Sequence, residues 1–283
     1  MAYQGVLHKY SSSQVAFEFS PSGSKKVIIV IGGLSDGLLT VEFAPGLATA
    51  VRELGFTVIQ IQMSSSYKGW GINSLDTDVK EISQLVKYLR SPEGGSRETV
   101  IIMGRSTGSQ DVMHYLLRLS DTVEAGILDA PVSDREGQDP SVIEKLNPKA
   151  QQMVSEGKGG EILPSQYTKI LFATPVTAYR WCSLMVRGGD DDYFSTDLSQ
   201  EFFTSTFGKL DVPFLVLENE NDEYVPKRVD KEALLNRWKA VSKPNCWSKN
   251  SGIVKGSTHL VVQPESQADL FRRVTAFLKE FDF

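Results

Sequence analysis

A chain of 283 residues, 41% hydrophobic and 23% charged, has the composition of an ordinary globular protein and enough length to bury a large core. A net charge of −5 leaves no basic footprint for nucleic acid, and no apolar run reaches the length of a membrane span, about 20 residues. The opening MAYQGVLHKY has no apolar secretory stretch, and Cys182 and Cys246 stand alone without metal-ligand spacing, so the expectation is a cytoplasmic protein with free thiols and no metal.

In chain order, Lys26–Ile31 (KVIIVI) is a β-branched run ending at Gly32-Gly33, the pattern of a fully buried strand. A helix is predicted over 41–54, stopped by Gly55, followed by a strand over 56–61 (FTVIQI). Leu75, Val79, Ile82, Val86 and Leu89 fall at helical spacing, and Ser91-Pro92 ends that helix. Residues 99–103 predict a third buried strand, 107–119 a helix and 125–128 a further strand. This alternation specifies a mostly parallel sheet with helices on both faces. From 134 to 209 the alternation stops. That stretch is rich in Gly, Asp, Ser and Pro, with helical patches near 140–155 and 164–187, and it reads as an insertion over the sheet. A strand over 212–218, a helix over 227–238, a short strand near 252–254 and a helix over 268–281 complete the core, which is divided as 1–133 and 210–283.

The stretch 101–111 reads IIMGRSTGSQD, so Ser106 sits between a strand and a helix with Gly104 and Gly108 two residues to either side. This is the G-x-S-x-G elbow. A strained strand-to-helix corner lifts the hydroxyl clear of the backbone, and the helix N-terminus aims its amides at the same point, the Thr107 amide first. The alternative, a tight turn with an incidental serine, does not account for the flanking strand and helix.

A serine hydroxyl attacks only when a base takes its proton, and histidine has the suitable pKa. Of the three histidines, His8 lies in a polar N-terminal segment ahead of the first strand. His114 lies about 12 Å along the helix from the elbow, as a packed or surface residue. His259, in the loop after the last short strand, is left as the base. The carboxylate that orients it belongs at a strand end. Asp222, Glu218, Glu220, Glu223 and Asp129 all qualify on sequence, and the order Ser106, Asp222, His259 suits the elbow. The loop Gly32-Gly33-Leu34-Ser35-Asp36-Gly37 is a source of a second oxyanion amide. It has neither GK[ST] nor GxGxxG, so nucleotide binding is disfavoured.

With these residues placed, the chain resembles the α/β hydrolases over nearly its full length. More narrowly, it resembles a little-characterised fungal branch that includes siderophore esterases. The words GGLSDGLL (32–39), GRSTGSQD (104–111), ILDAPVSDRE (127–136), DDYFSTDL (191–198), ENENDEYVP (218–226) and GSTHLV (256–261) carry the match. The resemblance implies an α/β-hydrolase fold, a lid over 134–209, and a Ser106–His259–Asp222 triad in which Asp222 fits a D-x-x-V-P pattern. It also implies an oxyanion hole from the Leu34 and Thr107 amides. Many relatives carry His where this chain has Arg105, a departure expected to alter the substrate pocket. The implied activity is ester cleavage through an acyl-enzyme, with no cofactor, on a small-molecule ester of the siderophore type. A thioesterase, lipase or peptidase would use the same triad, and a silent binding protein or a lyase the same scaffold.

Two expectations concern substrate. Asp190, Asp191 and Asp192 form an acidic row that would attract a cationic ester, unless it is simply a solvated loop. Tyr179, Trp181, Tyr193 and Phe194 would line an acyl pocket, or else form the lid's own core.

Overall fold

The computed structural model describes residues 2–283. Where the sequence shows only a polar segment, the structure has a hairpin of β1 (Gly5–Lys9) and β2 (Val15–Phe19). β1 is an edge strand with four of its five residues exposed, so it carries no apolar periodicity to detect. His8 lies within it, with Nε2 2.9 Å from Glu18 Oε2.

β3 (Lys26–Ile31), α1 (Ala44–Val51), β4 (Phe56–Ile61), α2 (Leu75–Arg90), β5 (Thr99–Arg105), α3 (Thr107–Leu119) and β6 (Ala125–Asp129) follow in alternation. Then come α4 (Pro140–Ser155), α5 (Ser165–Thr168), α6 (Ala178–Met185), α7 (Gln200–Ser205), β7 (Phe214–Asn219), α8 (Lys231–Val241), β8 (Gly252–Val254) and α9 (Pro264–Glu280). The eight strands form one sheet in the order β1-β2-β4-β3-β5-β6-β7-β8. Only the β1–β2 and β2–β4 pairings are antiparallel. Apolar side chains of β3 alternate between two cores: Ile29 and Ile31 face the side covered by α2, α3 and α8, and Ile28 and Val30 the side covered by α1 and α9. Capping serines and aspartates set several helix starts: Ser74 Oγ accepts from the Thr77 amide at 3.3 Å, and Asp230 Oδ1 from the Ala233 amide at 2.9 Å.

The stretch expected as a lid divides in two. Ile143, Leu146, Leu163, Tyr167, Trp181 and Met185 form a separate apolar cluster, joined by Trp70. Tyr193, Phe194, Leu198, Phe203 and Phe207 instead pack into the core on the α2/α3/α8 side, where the Phe207 ring stacks on Trp238 at 5.0 Å. The cap's own core therefore ends near Met185, and the chain from 193 onward belongs to the main body rather than to an insertion reaching 209.

Candidate active site

The C-terminal ends of β3, β5, β6 and β7 lie side by side, with Ile31 paired to Gly104 and Arg105 paired to Asp129. Ser106 follows directly, at φ 54°, ψ −126°, a region that side-chain-bearing residues rarely enter and that costs about 1–3 kcal/mol. The corner is held by its own hydrogen bonds. Ser106 N donates to Asp129 O at 2.9 Å, Ser109 N to Ser106 O at 2.8 Å, and Ser109 Oγ to Gly104 O at 3.0 Å. The flanking glycines have distinct reasons. A Cβ on Gly104 would lie 1.9 Å from Gly108 O, and one on Gly108 would lie 2.6 Å from Ile31 O, so α3 packs onto the end of β3 only without side chains there.

The loop after β3 is fixed in the same way. Asp36 Oδ2 accepts from Gly33 N at 2.8 Å, and its Oδ1 accepts from Thr40 Oγ1 at 2.8 Å. Gln60 Nε2 donates to Gly37 O at 2.9 Å. A Cβ on Gly33 would sit 2.7 Å from Ser106 Cβ, so the loop backbone approaches the serine closely. Among the described residues, the amides of Leu34 and Thr107 have no hydrogen-bond partner, which leaves both available to an external oxygen.

His259 and Asp222 are both buried, and His259 Nδ1 lies 2.7 Å from Asp222 Oδ2. Asp222 Oδ1 accepts from Tyr224 N at 3.0 Å, which fixes the carboxylate plane. The Tyr224 ring packs edge-on against the imidazole at 4.6 Å. Glu223 and Glu220 have other partners. Glu223 Oε2 accepts from the His259 main-chain amide at 2.9 Å, and Glu220 Oε2 from the Gly256 amide at 2.7 Å. Glu218 and Asp129 are wholly buried. Burial pushes Glu218 up to about 8, with Asp222 and Asp129 adding to it against Lys231. Burial likewise pushes Asp129 up to about 7, against the pull of Arg105.

Ser106 and His259 line one cavity of about 150 Å³, with Gly33, Leu34 and Arg105 beside them and Val132, Leu171, Phe172, Met185, Tyr224 and Leu260 as its apolar wall. Most of that wall carries no chemical signature and was not identified from sequence. Val132, Tyr224 and Leu260 lie inside motif words, whereas Leu171, Phe172 and Met185 do not.

Two expectations change, for Asp191 and for Tyr193. Asp191 does not line this cavity: it is buried, with Oδ2 accepting from Arg180 Nη1 at 2.5 Å and from Ser183 Oγ at 2.6 Å. Asp192 accepts from Arg135 Nε at 3.0 Å, and Asp190 from the Tyr179 hydroxyl. Asp191 and Asp192, both buried, are thus spent on internal pairing, as buried carboxylates require, while Asp190 is exposed. Tyr193 is a core residue whose hydroxyl lies 2.7 Å from His114 Nδ1, and His114 Nε2 reaches Asp76 at 2.8 Å. Arg105 does line the cavity, but its Nη2 donates to the main-chain carbonyl of His259 at 3.0 Å. Both cysteines are free, and no helix among the described residues is long and apolar enough to cross a membrane.

Comparison with known proteins agrees with this architecture. A family model described as "Protein of unknown function (DUF1749)" matches residues 1–279. The fusarinine C esterase sidJ of Aspergillus fumigatus is 32% identical over 336 residues, covering 97% of this chain and 95% of the relative. The solved structure of the siderophore hydrolase EstB from Aspergillus fumigatus superposes with TM-score 0.84 at 30% identity, covering 99% of this chain and 98% of the other. A structure described as an alpha/beta hydrolase fold protein of unknown function superposes with TM-score 0.71 at 15% identity over 100% of this chain and 97% of its own, so the fold is that of the α/β hydrolases.

Proposed function

Because the chain belongs to the DUF1749 family and shares its whole length with fungal siderophore hydrolases, we propose that it is a carboxylic ester hydrolase of the serine type acting on siderophore-type esters. The observation that supports this most is the shared cavity. A serine on a strained elbow and a histidine whose Nδ1 is 2.7 Å from a buried carboxylate open onto the same space.

In this mechanism Ser106 Oγ attacks the ester carbonyl carbon as its proton passes to His259 Nε2. Asp222 holds the imidazole with its Nδ1 protonated and stabilises the imidazolium that forms. The carbonyl oxygen becomes an oxyanion on the amides of Leu34 and Thr107, which are already in place and need no reorganisation. Collapse of the tetrahedral intermediate breaks the C–O bond, His259 protonates the departing alcohol, and the acyl group remains on Ser106. Water, deprotonated by His259, then releases the acid and restores the serine. The apolar wall supplies the area on which the acyl or alcohol part is buried.

A fluorophosphonate probe followed by peptide mass spectrometry tests the chemistry: an adduct on Ser106 is expected, absent from Ser106→Ala and lost in His259→Ala. Incubation with fusarinine C, the compound in the relative's name, tests the substrate class, with hydroxy-acid fragments as the expected products. A folded protein that forms no adduct overturns the serine mechanism. One that labels and cleaves simple esters but leaves fusarinine C intact overturns only the substrate class.

A further inference from the structure

We propose that Arg105 is a positioning residue: a buried guanidinium, on the residue preceding Ser106, that holds the main chain of His259 against the nucleophile strand. The inference rests on the reading of Ser106 and His259 as nucleophile and base.

His259 lies in a loop between β8 and α9 with no ladder hydrogen bonds of its own, and Val261 within that loop takes φ 48°. Side chains hold it instead. The His259 carbonyl accepts from Arg105 Nη2 at 3.0 Å and from Asn219 Nδ2 at 3.3 Å, while its amide donates to Glu223 at 2.9 Å. Of these three, only Arg105 comes from the strand that carries the nucleophile, so it links base to nucleophile across 154 positions of sequence. The arginine is only 2% exposed and lies over the Phe43 ring at 5.9 Å. Its Nε has no hydrogen-bond partner, and the neighbouring Asp129, in register across β5–β6, has none on either carboxylate oxygen. A buried, incompletely paired arginine is a poor contributor to stability, because desolvating the charge offsets what the pairing returns. A long planar donor does, however, reach from a strand to a loop carbonyl and fix its direction. The charged group that faces it is Asp129 on β6, which in turn feels His259 and Asp222 in the loops after β8 and β7.

Arg105→Met and Arg105→Lys separate this role from substrate contact. With a p-nitrophenyl ester, Arg105→Met is expected to lower kcat by about 100-fold, the scale on which small misplacements act, with KM changed by less than about threefold. The rate of fluorophosphonate labelling should fall in parallel. Removing the positive charge should also move the acid limb of the kcat/KM profile to higher pH. Arg105→Lys keeps the charge, so it should leave that limb in place and recover part of kcat. Thermal melts establish that each variant is folded, and Arg105→Lys carries the test by the same kcat-against-KM split if Arg105→Met does not fold. A rise in KM at constant kcat assigns Arg105 to substrate instead and overturns the proposal, as do folded variants with wild-type kcat and labelling. Wild-type protein that never labels on Ser106 would show that the underlying functional reading fails, an outcome distinct from equal labelling of wild type and variants.

Discussion

Replacing Asp222 by Asn removes one charge and almost no volume, yet it should be nearly as damaging as removing the base. The carboxylate accepts on both oxygens, from Tyr224 N at 3.0 Å and from His259 Nδ1 at 2.7 Å. An asparagine has one acceptor and one donor to place in those positions. If its oxygen takes the Tyr224 amide, its NH2 faces Nδ1, which must then accept. The ring proton moves to Nε2, the atom that receives the Ser106 proton in the proposed mechanism. If the amide flips, NH2 opposes the Tyr224 amide and a buried donor is left unpaired, at about 1–3 kcal/mol. The first arrangement satisfies every group, so the wrong tautomer should dominate. In a serine protease triad the same exchange lowers kcat by about 10⁴, or about 5.5 kcal/mol at 1.36 kcal/mol per tenfold. The expected result here is a loss of about 10³–10⁴ in kcat on a p-nitrophenyl ester, with KM and the melting temperature little changed. Glu218→Gln and Glu223→Gln are the controls, since each removes a neighbouring carboxylate that does not touch Nδ1. Asp222→Asn retaining a tenth or more of wild-type kcat, or Glu218→Gln matching its loss, would refute the assignment of Asp222 as the orienting acid.

Gly33→Ala should abolish labelling of Ser106 in a protein that still folds, because the new methyl would meet Ser106 Cβ at 2.7 Å and Oγ at 3.2 Å; normal labelling kinetics would count against the close approach of loop and nucleophile. Gly108→Ala should instead destabilise the whole fold, since its methyl meets backbone oxygens of Ile31 and Gly32 at 2.6 and 2.8 Å, and urea unfolding should show the shift. Trp238→Ala removes a fully buried indole stacked on Phe207 and should cost about 3–5 kcal/mol of unfolding free energy while leaving kcat per folded molecule intact. Stability should also fall as the solution becomes alkaline. Burial raises Asp78 to about 6, Asp129 to about 7 and Asp134 and Glu218 to about 8. A carboxyl whose folded pKa exceeds its unfolded one stabilises fully below about pH 4 and loses that contribution as pH rises through the folded value. Urea midpoints should therefore decline from pH 5 to pH 8 and level off above, and a midpoint that climbs across that range would contradict the raised carboxyls.

The parallel part of the sheet was legible because each of its central strands is buried on both faces and so reads as an unbroken β-branched run. Val27 to Ile31 and Val100 to Met103 are of this kind. The β1–β2 hairpin was not, because an edge strand exposed at Gly5, Val6 and Leu7 has no pattern for burial to impose. Residues 193–207 were assigned to the insertion because they lie between turns and lack strand periodicity. What places Phe203 and Phe207 in the main core is their contact with Trp238 on α8, a contact set by tertiary packing that no local window contains.

The site divides along the same line. Ser106, Gly104 and Gly108 are legible together because one backbone corner demands all three within five residues. His259 followed by elimination among three histidines. Asp191 was misread because a run of acidic residues looks the same in sequence whether solvated or buried. The partner that decides, Arg180, lies one helix earlier and meets it only because the turn through Gly188 and Gly189 folds back, with Asp191 N donating to Ser183 O at 3.2 Å. Arg105 shows the converse. Its position beside Ser106, the proposed nucleophile, is plain in the sequence, but that position alone favours a role in the pocket. The direction of its guanidinium, toward a main-chain oxygen of the base loop, is what turns attention from substrate to the geometry of catalysis. A charge beside a nucleophile is therefore better assigned by what its donors reach than by how near it lies in sequence. The split between kcat and KM in Arg105→Met is the measurement on which that distinction rests.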